Sequence, residues 1–194
     1  MSEKTVFAGF GGQGIISLGQ IWGYFGMKEG KEVSFFPFYG AEKRGGIARA
    51  NCIVSDEGIA SPIISKADSV VVMNQDSLSG CVSVLAEGGL LLVNSSLVDL
   101  DALDPASVGL APEKGGSWKD RFRVVQVAAG EIAAKLGSVK TANMVMLGAL
   151  ARLTGALSLD SVDSILTGFF PKSKQALVPL NASAIRAGMN IASM

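Results

Sequence analysis

The residues best suited to hold a ligand in this chain are glycines. From Phe7 to Gly19 the sequence reads FAGFGGQGIISLG, an apolar run that enters a glycine cluster and leaves with the spacing of a helix. Gly9-x-Gly11-x-x-Gly14 matches the dinucleotide-binding fingerprint. A strand, glycine turn and helix in that order aim backbone N–H groups and a helix N-terminus at one point, which suits a phosphate. The plainer reading is that the glycines only keep the turn tight and the helix close. A nicotinamide dinucleotide asks for more: an Asp or Glu about 20 residues on, for the ribose hydroxyls. Here the second strand ends Ser34-Phe35-Phe36-Pro37, and the next carboxylate is Glu42. No arginine stands at that strand end for a 2′-phosphate. No Gly-Lys-Ser/Thr follows the loop, which excludes a P-loop. A phosphate is in keeping with the pattern; NAD and NADP are not.

A second cluster, Phe38 to Gly46, sets Glu42, Lys43 and Arg44 between glycines. It reads either as a solvated turn or as a polar rim beside the glycine loop. The rim follows if strands one and two run parallel, because both loops then leave the sheet at one edge. Lysine and arginine pair with phosphate there, arginine bidentately.

Composition removes several chemistries. The 194 residues include no histidine, so Ser-His-Asp triads, Cys-His pairs and His-ligated metals are excluded. Acid–base work in a free-standing enzyme would fall to Glu42, Lys43 or Tyr39. Two cysteines, Cys52 and Cys81, give no disulfide framework and no iron–sulfur cluster, which takes four thiolates. Seventeen basic residues balance seventeen acidic ones, so nothing points to nucleic acid. Charged residues make up 18% and apolar residues 48%. Ordinary soluble domains carry about 25% charge. A small domain so poor in charge is expected to be a subunit that buries surface against partners. The opening MSEK has no signal-like apolar run, and the stretch Met144–Ala151 falls short of a membrane span. A cytoplasmic protein with no membrane association is expected.

The elements that would position these residues follow from periodicity. Strands are predicted at Lys4–Phe10, Glu32–Phe36 (stopped by Pro37), Ile47–Ser55, Ser69–Met73, Leu90–Val93 and Phe122–Val127. Helices are predicted at Gln13–Gly30, Gln75–Glu87 (ended by Gly88-Gly89), Ala128–Leu136, Ala142–Thr154, from Leu159, and at Ala182–Ala192. Ile15, Leu18, Trp22 and Phe25 form one apolar stripe, and Gly19, Gly23 and Gly26 let that helix lie close to a neighbour. Asp104–Lys119 reads as a mobile surface loop in which Trp118 could anchor a partner. Trp22 is expected in the core or an interface, Asp68 and Asp76 as helix caps, and Cys52 as a small buried hydrophobe. The alternation predicts an α/β, Rossmann-like fold: one domain over 1–194, a mostly parallel sheet with helices on both faces, and a helical C-terminal portion.

The sequence resembles the gamma subunit of 2-oxoacid:ferredoxin oxidoreductases. The resemblance rests on GFGGQGIISLGQ (9–20), FPFYGAEKRGGIARANCIVSDEGIASP (36–62), ADSVVVMNQDSL (67–78) and TANMVMLGAL (141–150). Ala41 stands where the family has proline. The resemblance implies an assembly that decarboxylates a 2-oxoacid, passes electrons to ferredoxin and hands the acyl group to coenzyme A. Thiamine diphosphate and the iron–sulfur clusters would sit on alpha, beta and ferredoxin-like delta partners, and no catalytic residue or metal on this chain. By the same resemblance Gly11, Gly12, Gln13, Gly14 and Ile15 are coenzyme A ligands through their backbone. Glu42, Lys43 and Arg44 line the same edge, and Asn143 and Asn181 match further contacts. Asn143 could otherwise cap a helix, and Asn181 could be a surface polar residue or a cap. The oxoacid suggested is 2-oxoglutarate, with pyruvate and branched-chain acids open. The small subunit of indolepyruvate oxidoreductase, which tends to carry Gln where Glu42 stands, is one alternative; a stand-alone nucleotide-binding protein is another.

Overall fold

The fold is taken from a computed structural model that describes residues 1–39, 46–110 and 116–191. Its strands are β1 (Ser2–Phe10), β2 (Glu32–Tyr39), β3 (Ile47–Ser55), β4 (Ala67–Val72), β5 (Leu85–Asn94) and β6 (Arg123–Val127). Its α-helices are α1 (Ile15–Lys28), α2 (Gln75–Cys81), α3 (Ala129–Lys135), α4 (Ala142–Thr154), α5 (Val162–Phe169) and α6 (Val178–Ile191).

The strands form one sheet in the order β2-β3-β1-β4-β5-β6. β1, β4, β5 and β6 pair in parallel. β3 lies antiparallel to both β1 and β2, so β2 runs in the direction of β1 without touching it. The sheet is therefore mostly parallel, as expected, with one reversed strand inserted.

Apolar positions on the two sheet faces build two cores. Phe7, Val71, Leu90 and Leu92 pack under α1, α4, α5 and α6. Val6, Ala8, Val70, Leu91 and Val93 pack under α2 and the segment between β5 and β6. Helices thus lie on both faces, most of them on one. The stripe Ile15, Leu18, Trp22 and Phe25 is fully buried. A Cβ on Gly19, Gly23 or Gly26 would come within 3.0 Å of Phe35, Val33 or Val54, so α1 rests directly on β2 and β3.

Several boundaries differ from the sequence reading. β2 continues through Pro37, which faces Ala50 on β3. A proline is tolerated there because β2 is the sheet edge. The helix expected over Gln75–Glu87 stops at Cys81, gives one 3-10 turn and becomes β5 at Leu85. Gly88 and Gly89 end no helix; they lie inside β5, where the register against β4 jumps from Ala67–Leu85 to Ser69–Leu90. α6 begins at Val178, with Pro179 in its first turn, where the missing N–H is no loss. Trp118 is not in a mobile loop: it is buried at 5% exposure, edge-on to Phe122 at 6.4 Å. Asp68 and Asp76 cap no helix. Asp68 accepts a hydrogen bond from the Lys4 backbone, and the cap of α2 is Asn74, which accepts from Ser77 N–H.

Candidate functional site

β1 runs out at Phe10, and the glycine turn that follows is held by the side chain of Gln13. Its Oε1 accepts from Phe10 N–H at 2.7 Å and from Asn74 Nδ2 at 3.1 Å. Its Nε2 donates to the Met73 carbonyl at 3.3 Å. One amide therefore ties the ends of β1 and β4 to the cap of α2. Its groups are consumed in shaping the loop rather than offered to a ligand.

The backbone of the loop divides in the same way. Gly11 N–H donates to Gly46 O at 3.1 Å and Gln13 N–H to Phe10 O at 3.1 Å, so neither is a free donor, contrary to expectation. The N–H groups of Gly12, Gly14 and Ile15 bond no described residue and stand at the N-terminus of α1, where the helix dipole is positive. Gly12 has φ +100°, and a Cβ built there meets no described atom within 4 Å. The turn opens onto free space, the property a phosphate cradle needs.

That space is a cleft of about 390 Å³ on the α4 side of the sheet, at the carboxyl ends of β4 and β5. Gly12 and Gln13 form one wall. Met73, Asn94 and Ser96 continue it past β4 and β5, and Ala142 and Asn143 close it from the start of α4. Leu97, Val139 and Lys140 stand at its rim. Asn143 is buried, and its Nδ2 reaches the Gly14 carbonyl at 3.4 Å. It does not cap α4, whose cap position is Thr141.

The sequence-derived set is only partly assembled. Gly12, Gln13 and Asn143 line the cleft, with Gly14 against Asn143. Asn181 is neither a cap nor a surface residue: it is buried in α6, donates to Leu177 O at 2.7 Å and does not line the cleft. Glu42, Lys43 and Arg44 lie outside the described residues. Gly46, the first described residue after them, accepts from Gly11 N–H. Asn94, Ser96 and Lys140 were missed. The signal for Asn94 was present in LLLVNSS, a polar residue at the carboxyl end of a buried parallel strand.

The groups with displaced pKa values sit elsewhere. Burial pushes the Glu3 carboxyl up, against a lowering hydrogen bond from Ser69 at 2.6 Å, with Asp68 adding to the rise. Burial drives the Cys52 thiol up to about 12 and raises Cys81 as well. Among the described residues no three His, Cys, Asp or Glu side chains gather as a metal site, and no helix is long and apolar enough to cross a membrane.

A mostly parallel α/β unit with a glycine turn opening on a cleft belongs to the Rossmann-like class of folds. The family model for pyruvate ferredoxin/flavodoxin oxidoreductase matches residues 4–191, and the chain belongs to that family. It is 35% identical to 2-oxoglutarate synthase subunit KorC of Methanocaldococcus jannaschii, over 90% of this chain and 87% of that one. It is 32% identical to ketoisovalerate oxidoreductase subunit VorA of Methanothermobacter marburgensis, over 95% of this chain but 35% of the relative. The chain thus spans about a third of VorA and most of KorC. The crystal structure of the keto/oxoacid ferredoxin oxidoreductase gamma subunit from Geobacter sulfurreducens superposes with a TM-score of 0.77 at 27% identity, covering 100% of this chain and 97% of that one.

Proposed function

We propose that this chain is the coenzyme A-holding gamma subunit of a 2-oxoacid:ferredoxin oxidoreductase whose chemistry resides on partner chains. The observation that carries the reading is the meeting of Gly12, Asn94 and Asn143, from three distant parts of the sequence, on one cleft at the carboxyl edge of the sheet. The residues fit the coenzyme. Unpaired N–H groups at the start of α1 suit its pyrophosphate. Lys43 and Arg44, which precede the Gly46 that bonds the glycine turn by three and two residues, would supply cations for its other phosphate. Coenzyme A supplies a thiol that accepts the acyl group; this chain binds and orients it. The oxoacid is proposed to be 2-oxoglutarate, supported by the similarity to KorC over most of both chains.

Gentle purification from the native source tests the reading. Copurification with thiamine diphosphate and iron–sulfur chains is expected, with 2-oxoglutarate oxidised in preference to pyruvate and 3-methyl-2-oxobutanoate. A chain that purifies alone overturns the subunit assignment. Within the complex, Arg44→Ala should raise the KM for coenzyme A about tenfold or more, as loss of a charge-assisted hydrogen bond does, and leave the oxoacid KM unchanged.

A further inference from the structure

Asn94 is the last residue of β5 and is 0% exposed. Strand alternation places its side chain on the face of Leu90 and Leu92, the face carrying α4 and the cleft. Its Oδ1 accepts from Ser96 N–H at 3.3 Å, which fixes the orientation of the amide. Its Nδ2 then has no hydrogen-bond partner among the described residues. A buried donor without an acceptor is a rare and costly arrangement in a folded protein. Around it the other cleft-floor residues are apolar or already satisfied: Met73 and Ala142 are apolar, Gln13 is spent on the loop, and Ser96 Oγ accepts from Gly130 N–H at 3.1 Å.

We infer that Asn94 is a specificity-determining residue whose Nδ2 donates to an uncharged acceptor on an apolar portion of the ligand held in this cleft. The acceptor is uncharged because a phosphate would be better served by the N–H groups of Gly12, Gly14 and Ile15 than by a single amide among apolar walls. In coenzyme A, on which this inference rests, two groups have that chemistry: the amide carbonyls of the pantetheine arm and the ring nitrogens of adenine. Satisfying Asn94 only on binding makes the donor a cost to the free protein and a gain in the complex.

Equilibrium binding to the complex as purified, with coenzyme A, 4′-phosphopantetheine and adenosine 3′,5′-bisphosphate, tests the inference in wild type, Asn94→Leu and Asn94→Asp. Asn94→Asp keeps the acceptor for Ser96 and removes the donor. Both variants should bind coenzyme A about tenfold more weakly, the worth of one hydrogen bond made to a buried group. Loss shared with 4′-phosphopantetheine assigns the carbonyl; loss shared with the bisphosphate assigns the ring nitrogen. Unchanged affinity for coenzyme A in folded variants overturns the inference and leaves the coenzyme reading standing. Failure of the wild type to bind coenzyme A overturns both.

Discussion

Gly12 and Glu3 show how much single positions decide. At Gly12, φ +100° excludes a branched side chain on conformational grounds, before any ligand is considered. Gly12→Val should cost about 1–3 kcal/mol of stability and abolish coenzyme A binding, read by thermal unfolding and calorimetry. Full binding by a folded variant would show that the turn faces nothing. Glu3 of β1 is buried beside Thr5 on its own strand and Ser69 on β4, whose hydroxyls lie 3.0 Å apart. Its raised pKa means the folded chain keeps a proton that the unfolded chain releases. That stability is full below the ordinary glutamate value and is lost as pH rises through the raised one. Glu3→Gln should therefore gain on the wild type as pH rises from the ordinary glutamate range upward, measured by denaturant unfolding. A difference constant with pH would place the carboxyl in water. Cys52 and Cys81 should both resist thiol reagents in the native protein and label fully once denatured, since burial keeps them protonated.

At the scale of elements, the tightest joint lies between α4 and α6. A Cβ on Gly148 would overlap the Ile185 carbonyl, and one on Gly188 the Val145 carbonyl, so the helices touch backbone to backbone. Gly148→Ala should lower the unfolding temperature by about 6–12 °C, equivalent to about 3 kcal/mol of overpacking, despite the better helix former. A rise would mean that the helices separate freely. α4 was legible to its end residues because a long apolar run stops at Gly155, whose φ is +64°. The helix over Gln75–Glu87 was misread because CVSVLAEGG carries apolar spacing compatible with helix or strand; only the pairing of Leu85 with Ala67 decides it. The reversed β3 could have been read: residues 40–46 are too few for a crossover between parallel strands, which takes about a dozen or more. For the site, the glycine turn was legible and the consumption of Gly11 N–H and Gln13 was not. Both depend on partners, Gly46 and Met73, that the sheet brings near.

The whole molecule joins its ends at the cleft. Loop, β5 and α4 contribute to one cavity, so a ligand seated there binds the N-terminal and C-terminal halves together. Saturating coenzyme A should slow amide exchange at residues 12–15 and 142–146 in parallel, by up to about a hundredfold at a hundred times its dissociation constant, followed by mass spectrometry on the complex. Protection confined to the glycine loop would separate the two halves. The low charge that suggested a buried subunit has a local counterpart at the sheet edge. Phe36 and Phe38 stand 48% and 43% exposed with their rings 4.8 Å apart, and Arg49 lies over Phe38.

Asn143 rests on Gly14 from 129 positions away. During synthesis the glycine fingerprint therefore leaves the ribosome long before the residue that closes over it. A nascent chain that has reached β6 already carries the motif by which a reader would identify the site, yet it has no cleft. On the proposed reading, competence to hold the coenzyme arrives with α4, so a product truncated before it should not bind coenzyme A however well its sheet has formed.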